Sequence, residues 1–525
     1  MTNNISRFQI PNRIMSQNND LCLSNKLKHG GINLDILWVL VILAGFLFFT
    51  SLIPLPPNDF WWHLKIGEYI YLNHTIPTTN IFAWTLPADQ PFYYAAWLAE
   101  LLFYLFYRLG GLALLISLRT ILIGITMCLV AAEAHRRSGS WRISALVIAV
   151  LSLMITNNLI VRTQIWAWLP FIGSYIVLKR YSEGTLSWRW LLICPASMIV
   201  WVNVHGSFIL GIILPGAFFL GEAIRRLIKQ EIAINWHQIG WIGCTGLLSG
   251  LAVLINPRFT GIISYAINLL TNPASQQLIE EWQSPTPQGL ANIFFFISIL
   301  FFVIALAYSK YRPSITEMIL FVGFVWLAWS GERYVIWYGV ISMPILARLI
   351  KDLPIKTPAF TAQKNWVNFA LAILVFIPVL AAQPWFVERL PLPDTYWQQV
   401  LRRTAAGPLI GIKTPLAAAD YLKSHPGGHL FNEMGYGSYL IWVVPQQGVF
   451  IDARVELFPI EQWTDYIRVN NATNYDEILT KYGVDRILLD KKLQPNLAAS
   501  LPKDLQWKLE YDDPYAQIWF KTSAP

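Results

Sequence analysis

Asp59, His63 and Glu100 stand in a polar, aromatic stretch that follows the first apolar run of the chain. It reads PLPPNDFWWHLKIGEYIYLNHTIPTTNIFAWT over 54–85 and AAWLAELLFYLFYRLGG over 95–111. Ionisable groups at membrane depth are costly unless used, so this loop is the first place to look for chemistry. Asp59 follows a rigid Pro-rich exit and precedes Phe60, Trp61 and Trp62. A carboxylate against aromatic walls has a tunable pKa, which suits a general base for a sugar or lipid hydroxyl. The competing reading is an N-cap for the helix FWWHLKIGEYIYL. His63 falls one turn after Asp59 and shares its face. The pair can bind a divalent ion or a phosphate, but a plain hydrogen bond is favoured, because two ligands do not make a metal site. Glu100, on an otherwise apolar helix, either faces a cavity or reaches to water.

The elements that must position these groups are read from composition. The chain has 525 residues, 55% hydrophobic against 13% charged, with a mean hydropathy of +0.44. Those values belong to an integral membrane protein. With 24 Trp, 22 Tyr and 29 Phe, many short spans with aromatic ends are expected. The net charge of +8 is spread between apolar runs, so it reads as topology signal and excludes a nucleic-acid face. Cys22, Cys128, Cys194 and Cys244 show no disulfide or metal-ligand spacing.

The fold class expected is a mainly α membrane protein with about eleven transmembrane helices. They centre on 35–53, 111–133, 143–157, 164–179, 190–203, 207–224, 239–255, 291–308, 314–330, 334–350 and 366–382. The segment 95–108 is apolar too, and the positive-inside rule decides its placement. If it lies in the interface, every inner connection is basic: 1–34, 134–142, 179–189, 225–238, 309–313 and 351–365. The outer side then receives the first loop, 54–110, and collects Asp59, His63, Glu100, Arg162, Asn203, His205, Glu280, Glu281, Glu332 and Arg333. The organisation expected is a cytoplasmic tail (1–34), a polytopic domain (35–382), a linker (383–414) and an extracytoplasmic α/β domain (415–525). In that last domain LAAADYLKSHPGG reads as a helix with a breaker, HLFNE, GVFIDAR and DRILLD as short runs between turns, and WKLEYDD with AQIWFK as a closing hairpin.

Trp61 and Trp62 line the same loop as a candidate sugar or lipid platform. Arg162 and Arg333, at outer span ends, can clamp a phosphate bidentately; for a single Arg the interfacial-anchor reading is the stronger one. Asn203 and His205, in WVNVHGS, can donate to an anionic group at the start of the next helix. Glu281, in LIEEWQSP, fits a carbohydrate platform or a solvated cap equally. Asn432, Tyr436, Asp452 and Arg454 sit in runs without a nucleotide fingerprint or nucleophile motif, so a stabilising or substrate-selecting role is expected of them.

These blocks carry a resemblance. Asp59 to Ile70, Ile76 to Thr85, Trp97 to Glu100, Val202 to Gly206, and Asn432 to Trp442 with Phe450 to Arg454 resemble a bacterial family of polytopic membrane proteins. The organisation is similar to GT-C class glycosyltransferases of the protein mannosyltransferase and aminoarabinose transferase types. That resemblance implies a polyprenyl-phosphate sugar donor, an extracytoplasmic lipid or glycan acceptor, and a first-loop acid that activates the acceptor; Asp59 is the matching position. The chain departs from the class in having Asn58 beside Asp59 and Asn80 where an acid is frequent, so a divalent metal stays open. The expectation is a multi-pass glycosyltransferase of the plasma membrane, with Asp59 and Glu100 catalytic and His63, Trp61, Trp62, Arg162, Asn203, His205, Glu281 and Arg333 binding substrate. The alternative is a non-catalytic component that binds or passes a lipid-linked glycan. A secondary transporter is less favoured, for want of paired broken helices.

Overall fold

The apolar runs all form helices. In chain order the helices up to 381 are α1 (Leu34–Leu52), α2 (Phe60–Asn73), α3 (Trp97–Ser138), α4 (Trp141–Met154), α5 (Trp168–Ser182), α6 (Ile193–Val204) and α7 (Leu210–Leu227), then α8 (Trp236–Ala252), α9 (Gly261–Thr271), α10 (Pro273–Leu278), α11 (Leu290–Tyr308), α12 (Ile315–Ser330), α13 (Val335–Lys351) and α14 (Asn365–Ala381). The structure, a computed structural model, describes residues 33–230, 234–354, 365–387, 403–404 and 407–522. Most of the expected tail (1–34), part of the linker (383–414), Cys22 and the Glu280 side chain lie outside the described residues.

By length and composition, five described helical stretches suffice to cross a membrane: Leu34–Leu52, Trp97–Ser138, Gly206–Leu227, Leu290–Tyr308 and Glu332–Lys351. Trp141–Met154, Trp188–Val204, Ile315–Ser330 and Trp366–Ala381 are apolar but shorter. Leu247, Leu251, Leu300, Val303, Ile304, Trp326, Ile377 and Leu380 are exposed on helices whose inner faces are also apolar. A helix apolar all round needs a core or a lipid phase around it.

The 42-residue α3 is broken where Gly110 takes φ −155° and Gly111 takes φ +62°. The second angle favours glycine, and the pair separates the Glu100-bearing segment from the long run after it. That segment packs on α2 with backbones nearly touching. A Cβ at Gly67 would lie 2.0 Å from the Glu100 carbonyl oxygen, so only glycine fits. Gly67→Ala is expected to destabilise the protein by about 1–3 kcal/mol through overpacking, measured as a lower thermal midpoint in detergent.

Basic residues of the expected inner connections meet at one end of the bundle and are paired there. Glu317 takes Arg137, and Lys179 at 3.0 Å. Glu133 takes Arg136 at 2.6 Å and Arg180 at 3.3 Å.

The C-terminal part holds a four-stranded sheet. Its strands are β3 (Leu430–Asn432), β4 (Arg486–Asp490), β5 (Trp507–Asp512) and β6 (Ala516–Lys521), after the short pair β1 (Arg403–Thr404) and β2 (Gly407–Gly411). The order is β3-β4-β6-β5, with β3 parallel to β4 and the other neighbours antiparallel. The expected closing hairpin is β5–β6. The run GVFIDAR does not join this sheet, because its backbone pairs with the first loop instead. Trp84 N–H donates to the Val449 carbonyl at 3.2 Å, and Val449 N–H to Phe82 at 3.0 Å.

The first loop and this part are further joined by buried polar groups. Arg454 and Asp452 form a fully buried bidentate pair, at 2.9 and 2.7 Å. The remaining Arg454 nitrogen donates to the Tyr94 hydroxyl at 3.1 Å, and the guanidinium lies over the Phe82 and Phe92 rings. Thr85 donates to the Phe450 carbonyl at 3.0 Å, and Trp84 stacks on His429 at 4.2 Å. Asn432 donates to the Ile451 carbonyl and accepts from Phe450 N–H, both at 2.8 Å. Tyr436 donates to Asp490 at 2.9 Å. Asn432, Tyr436, Asp452 and Arg454 thus spend their polar groups inside the protein.

Candidate active site

A cavity of about 390 Å³ lies where the first loop, several helix ends and the C-terminal part meet. Asp59, Trp62, His63, Glu100, Arg162, His205, Glu281 and Arg333 all line it. The outer segments grouped by the charge rule therefore converge on one end of the bundle, opposite the paired basic cluster.

Asp59 does not cap α2. Its own backbone is helical and its side chain makes no cap bond; the Asn58 side chain accepts from Phe60 N–H instead, at 3.3 Å. This leaves the Asp59 carboxylate free to turn to Arg162, whose Nε lies 3.2 Å from Oδ1. Arg162 also binds Glu281. Burial works against the Arg162 charge, yet the two carboxylates outweigh it and hold the pKa above the ordinary value.

His63 does not bond the Asp59 side chain. Its Nδ1 lies 2.8 Å from Glu100 Oε1, and its ring packs on Trp62. Glu100 is fully buried, and its second oxygen, Oε2, has no hydrogen-bond partner. Glu100 therefore faces inward and does not reach to solvent.

His205 takes an extended backbone and caps the turn after it, its Nδ1 accepting from Ser207 N–H at 3.0 Å. Burial, reinforced by Arg333, holds its pKa well below the usual imidazole value. With Nδ1 accepting, a neutral ring carries its proton on Nε2, a donor without a charge. Arg333 is different from Arg162. It has no carboxylate at ion-pair distance among the described residues, and its guanidinium lies 4.5 Å from the centre of the Trp282 ring. A guanidinium so placed keeps donors that can take an anion.

Two expected ligands do not line the cavity. Trp61 is buried, donates to the Pro56 carbonyl at 2.8 Å, and meets Tyr439 edge to face. Asn203 accepts from Trp97 Nε1 at 2.7 Å and donates to the Ile199 and Ile255 carbonyls, both at 2.8 Å. It ties the α3 start to the ends of α6 and α8. The buried indole N–H and amide each need a partner, and these bonds supply it.

The lining also includes Tyr93, Tyr94, Tyr265 and Glu456, which sequence reasoning did not single out. Tyr265 lies on α9 and donates to Glu456 at 3.4 Å. The carboxylates do not form a ligand set for a divalent ion. Asp59 and Glu281 share Arg162, Glu100 is turned to His63, and no group of three His, Cys, Asp or Glu side chains converges among the described residues.

No family model matches the sequence, and no curated protein matches it. Solved structures do. The archaeal oligosaccharyltransferase AglB from Archaeoglobus fulgidus, in complex with an inhibitory peptide and a dolichol-phosphate, superposes with a TM-score of 0.50 at 12% identity, over 93% of this chain and 74% of that one. Its apo form gives the same values. ArnT from Cupriavidus metallidurans bound to undecaprenyl phosphate gives 0.49 at 13% identity, over 91% of this chain and 97% of that one. The chain has the GT-C fold. In this GT-C fold, the first loop and the C-terminal part close over the helix ends, and the cavity lies between them.

Proposed function

We propose that this chain is a membrane glycosyltransferase that moves a sugar from a polyprenyl-phosphate donor to an extracytoplasmic lipid or glycan acceptor. The carrying observation is one cavity that holds a carboxylate, Asp59, and a cation, Arg333, with no carboxylate partner among the described residues. The GT-C fold supports it, and the AglB structure of that fold contains a dolichol-phosphate. Asp59 takes the proton of the acceptor hydroxyl as its oxygen attacks the anomeric carbon. The bond from that carbon to the phosphate oxygen breaks with its electron pair on the phosphate, and the configuration inverts. Arg333 and the His205 Nε2 proton meet the charge that develops on the leaving phosphate. Arg162, bridged between Asp59 and Glu281, positions the base. Glu100 and His63 form the buried pair behind it, and Trp62 offers a ring face to the sugar. In this reading the cavity end of the bundle and residues 415–525 are extracytoplasmic, and the N-terminus is cytoplasmic.

Binding separates the roles. Purified protein is titrated with undecaprenyl-phosphate-linked glucose and read by native mass spectrometry. Arg333→Ala is expected to weaken binding by about tenfold or more, the scale of a charge-assisted phosphate contact. Asp59→Asn should bind like the wild type. Equal binding by wild type and Arg333→Ala would remove the phosphate role from Arg333.

A further inference from the structure

We infer that Glu456 is a sugar-contacting residue, supplied to the cavity by the C-terminal part, which accepts a hydroxyl of the donor's sugar. The inference rests on the polyprenyl-phosphate reading above. Glu456 sits on the short turn Val455–Leu457, next to the buried Asp452–Arg454 pair that anchors this segment to the first loop. Its backbone is thereby fixed, and Glu456 lines the cavity.

Of the other cavity carboxylates, Asp59 and Glu281 are committed to Arg162, while Glu100 turns Oε1 to His63 and keeps Oε2 fully buried. The one side-chain bond at Glu456 is the long one from Tyr265, 3.4 Å to Oε1. Among the described residues no other side chain bonds this carboxyl, so beside its own backbone N–H it keeps acceptor capacity for a hydroxyl. Burial pushes its pKa up, outweighing its own backbone N–H, the Tyr265 hydroxyl and the Arg454 charge, which act the other way.

Charge also sorts the two ends of the donor. Arg333 and His205 offer positive or donor groups suited to a phosphate. A carboxylate repels a phosphate, so Glu456 suits the uncharged, hydroxyl-bearing end. Tyr265 bonds it and stacks on Tyr93, and Tyr94 and Trp62 line the same cavity. Aromatic faces for C–H groups beside a carboxyl that accepts O–H groups make a sugar-binding wall.

The test compares two probes, undecaprenyl phosphate and the same lipid bearing glucose, galactose, mannose or N-acetylglucosamine, on the full chain. Wild type is expected to bind one sugar-bearing lipid about tenfold more tightly than the bare phosphate, the worth of a hydroxyl bond to a buried acceptor. In Glu456→Ala that preference disappears while affinity for undecaprenyl phosphate stays, which also shows that the variant is folded. Glu456→Gln, whose amide oxygen still accepts, keeps part of the preference. An unchanged preference in Glu456→Ala overturns the inference. So does an equal loss in Tyr265→Phe, which would mean that Glu456 acts only by holding α9. Wild type that binds undecaprenyl phosphate with no sugar preference overturns the inference and leaves the lipid-phosphate reading standing. Wild type that binds neither probe overturns both.

Discussion

Asp59→Asn is expected to lower the rate of sugar transfer by about 10²- to 10⁴-fold, the usual contribution of a positioned general base, with donor affinity little changed. The isosteric amide keeps an oxygen for Arg162 Nε, and Arg162 keeps Glu281 as its second partner. The local geometry should survive while the proton acceptor is gone. A loss in kcat without a rise in KM marks an interaction made in the transition state and not in the ground state. The measurement is transfer of labelled sugar from an undecaprenyl-phosphate donor to membrane acceptors, at equal amounts of folded protein. Retained transfer would move the base elsewhere, with Glu100 and its His63 partner next in line. Donor binding without turnover in the wild type would favour a component that binds or passes a lipid-linked glycan.

The second large effect lies away from the chemistry. Arg454→Met is expected to cost about 3–5 kcal/mol, because it leaves Asp452 as a buried charge without its partner. Asp452→Asn combined with Arg454→Met should recover part of the loss, since neither charge then remains. Thermal unfolding followed by tryptophan fluorescence reads both. The single variant should also lose transfer well below its unfolding temperature. Arg454 holds the Tyr94 hydroxyl, and Tyr94 is part of the cavity wall. An unchanged midpoint in the single variant would show that the pair is not what clasps the first loop.

The helices were legible because long apolar runs have few alternatives, and the charge rule groups their connections without any structure. The same grouping gathered Asp59, Arg162, His205, Glu281 and Arg333 before their meeting around a cavity was visible. What failed was the assignment of individual polar side chains. Asp59 looked like a cap because nothing local distinguishes it from Asn58, which makes the capping bond. Trp61 and Trp62 are adjacent and chemically identical, yet helical geometry sends one toward Tyr439 and the other into the cavity. Asn203 looked like a ligand because two of its three partners, Trp97 and Ile255, are distant in sequence. Glu456 gave no signal at all. Its place in the cavity depends on how the C-terminal part docks on the first loop, and no period or spacing encodes that.

The contacts that join these two regions link residues 346, 365 and 377 positions apart, in Trp84–Leu430, Thr85–Phe450 and Thr85–Gln462. A ribosome releases the N-terminal partner of each contact long before the C-terminal one. The early loop waits through the synthesis of every later helix with Trp84 and the backbone of Phe82 uncovered. Closure of such distant contacts is slow, so assembly ends with this step. A chain cut short between residues 334 and 450 carries Asp59 and Arg333 but lacks the wall that encloses them. On the proposed function, a product without that wall is expected to leave donor untouched.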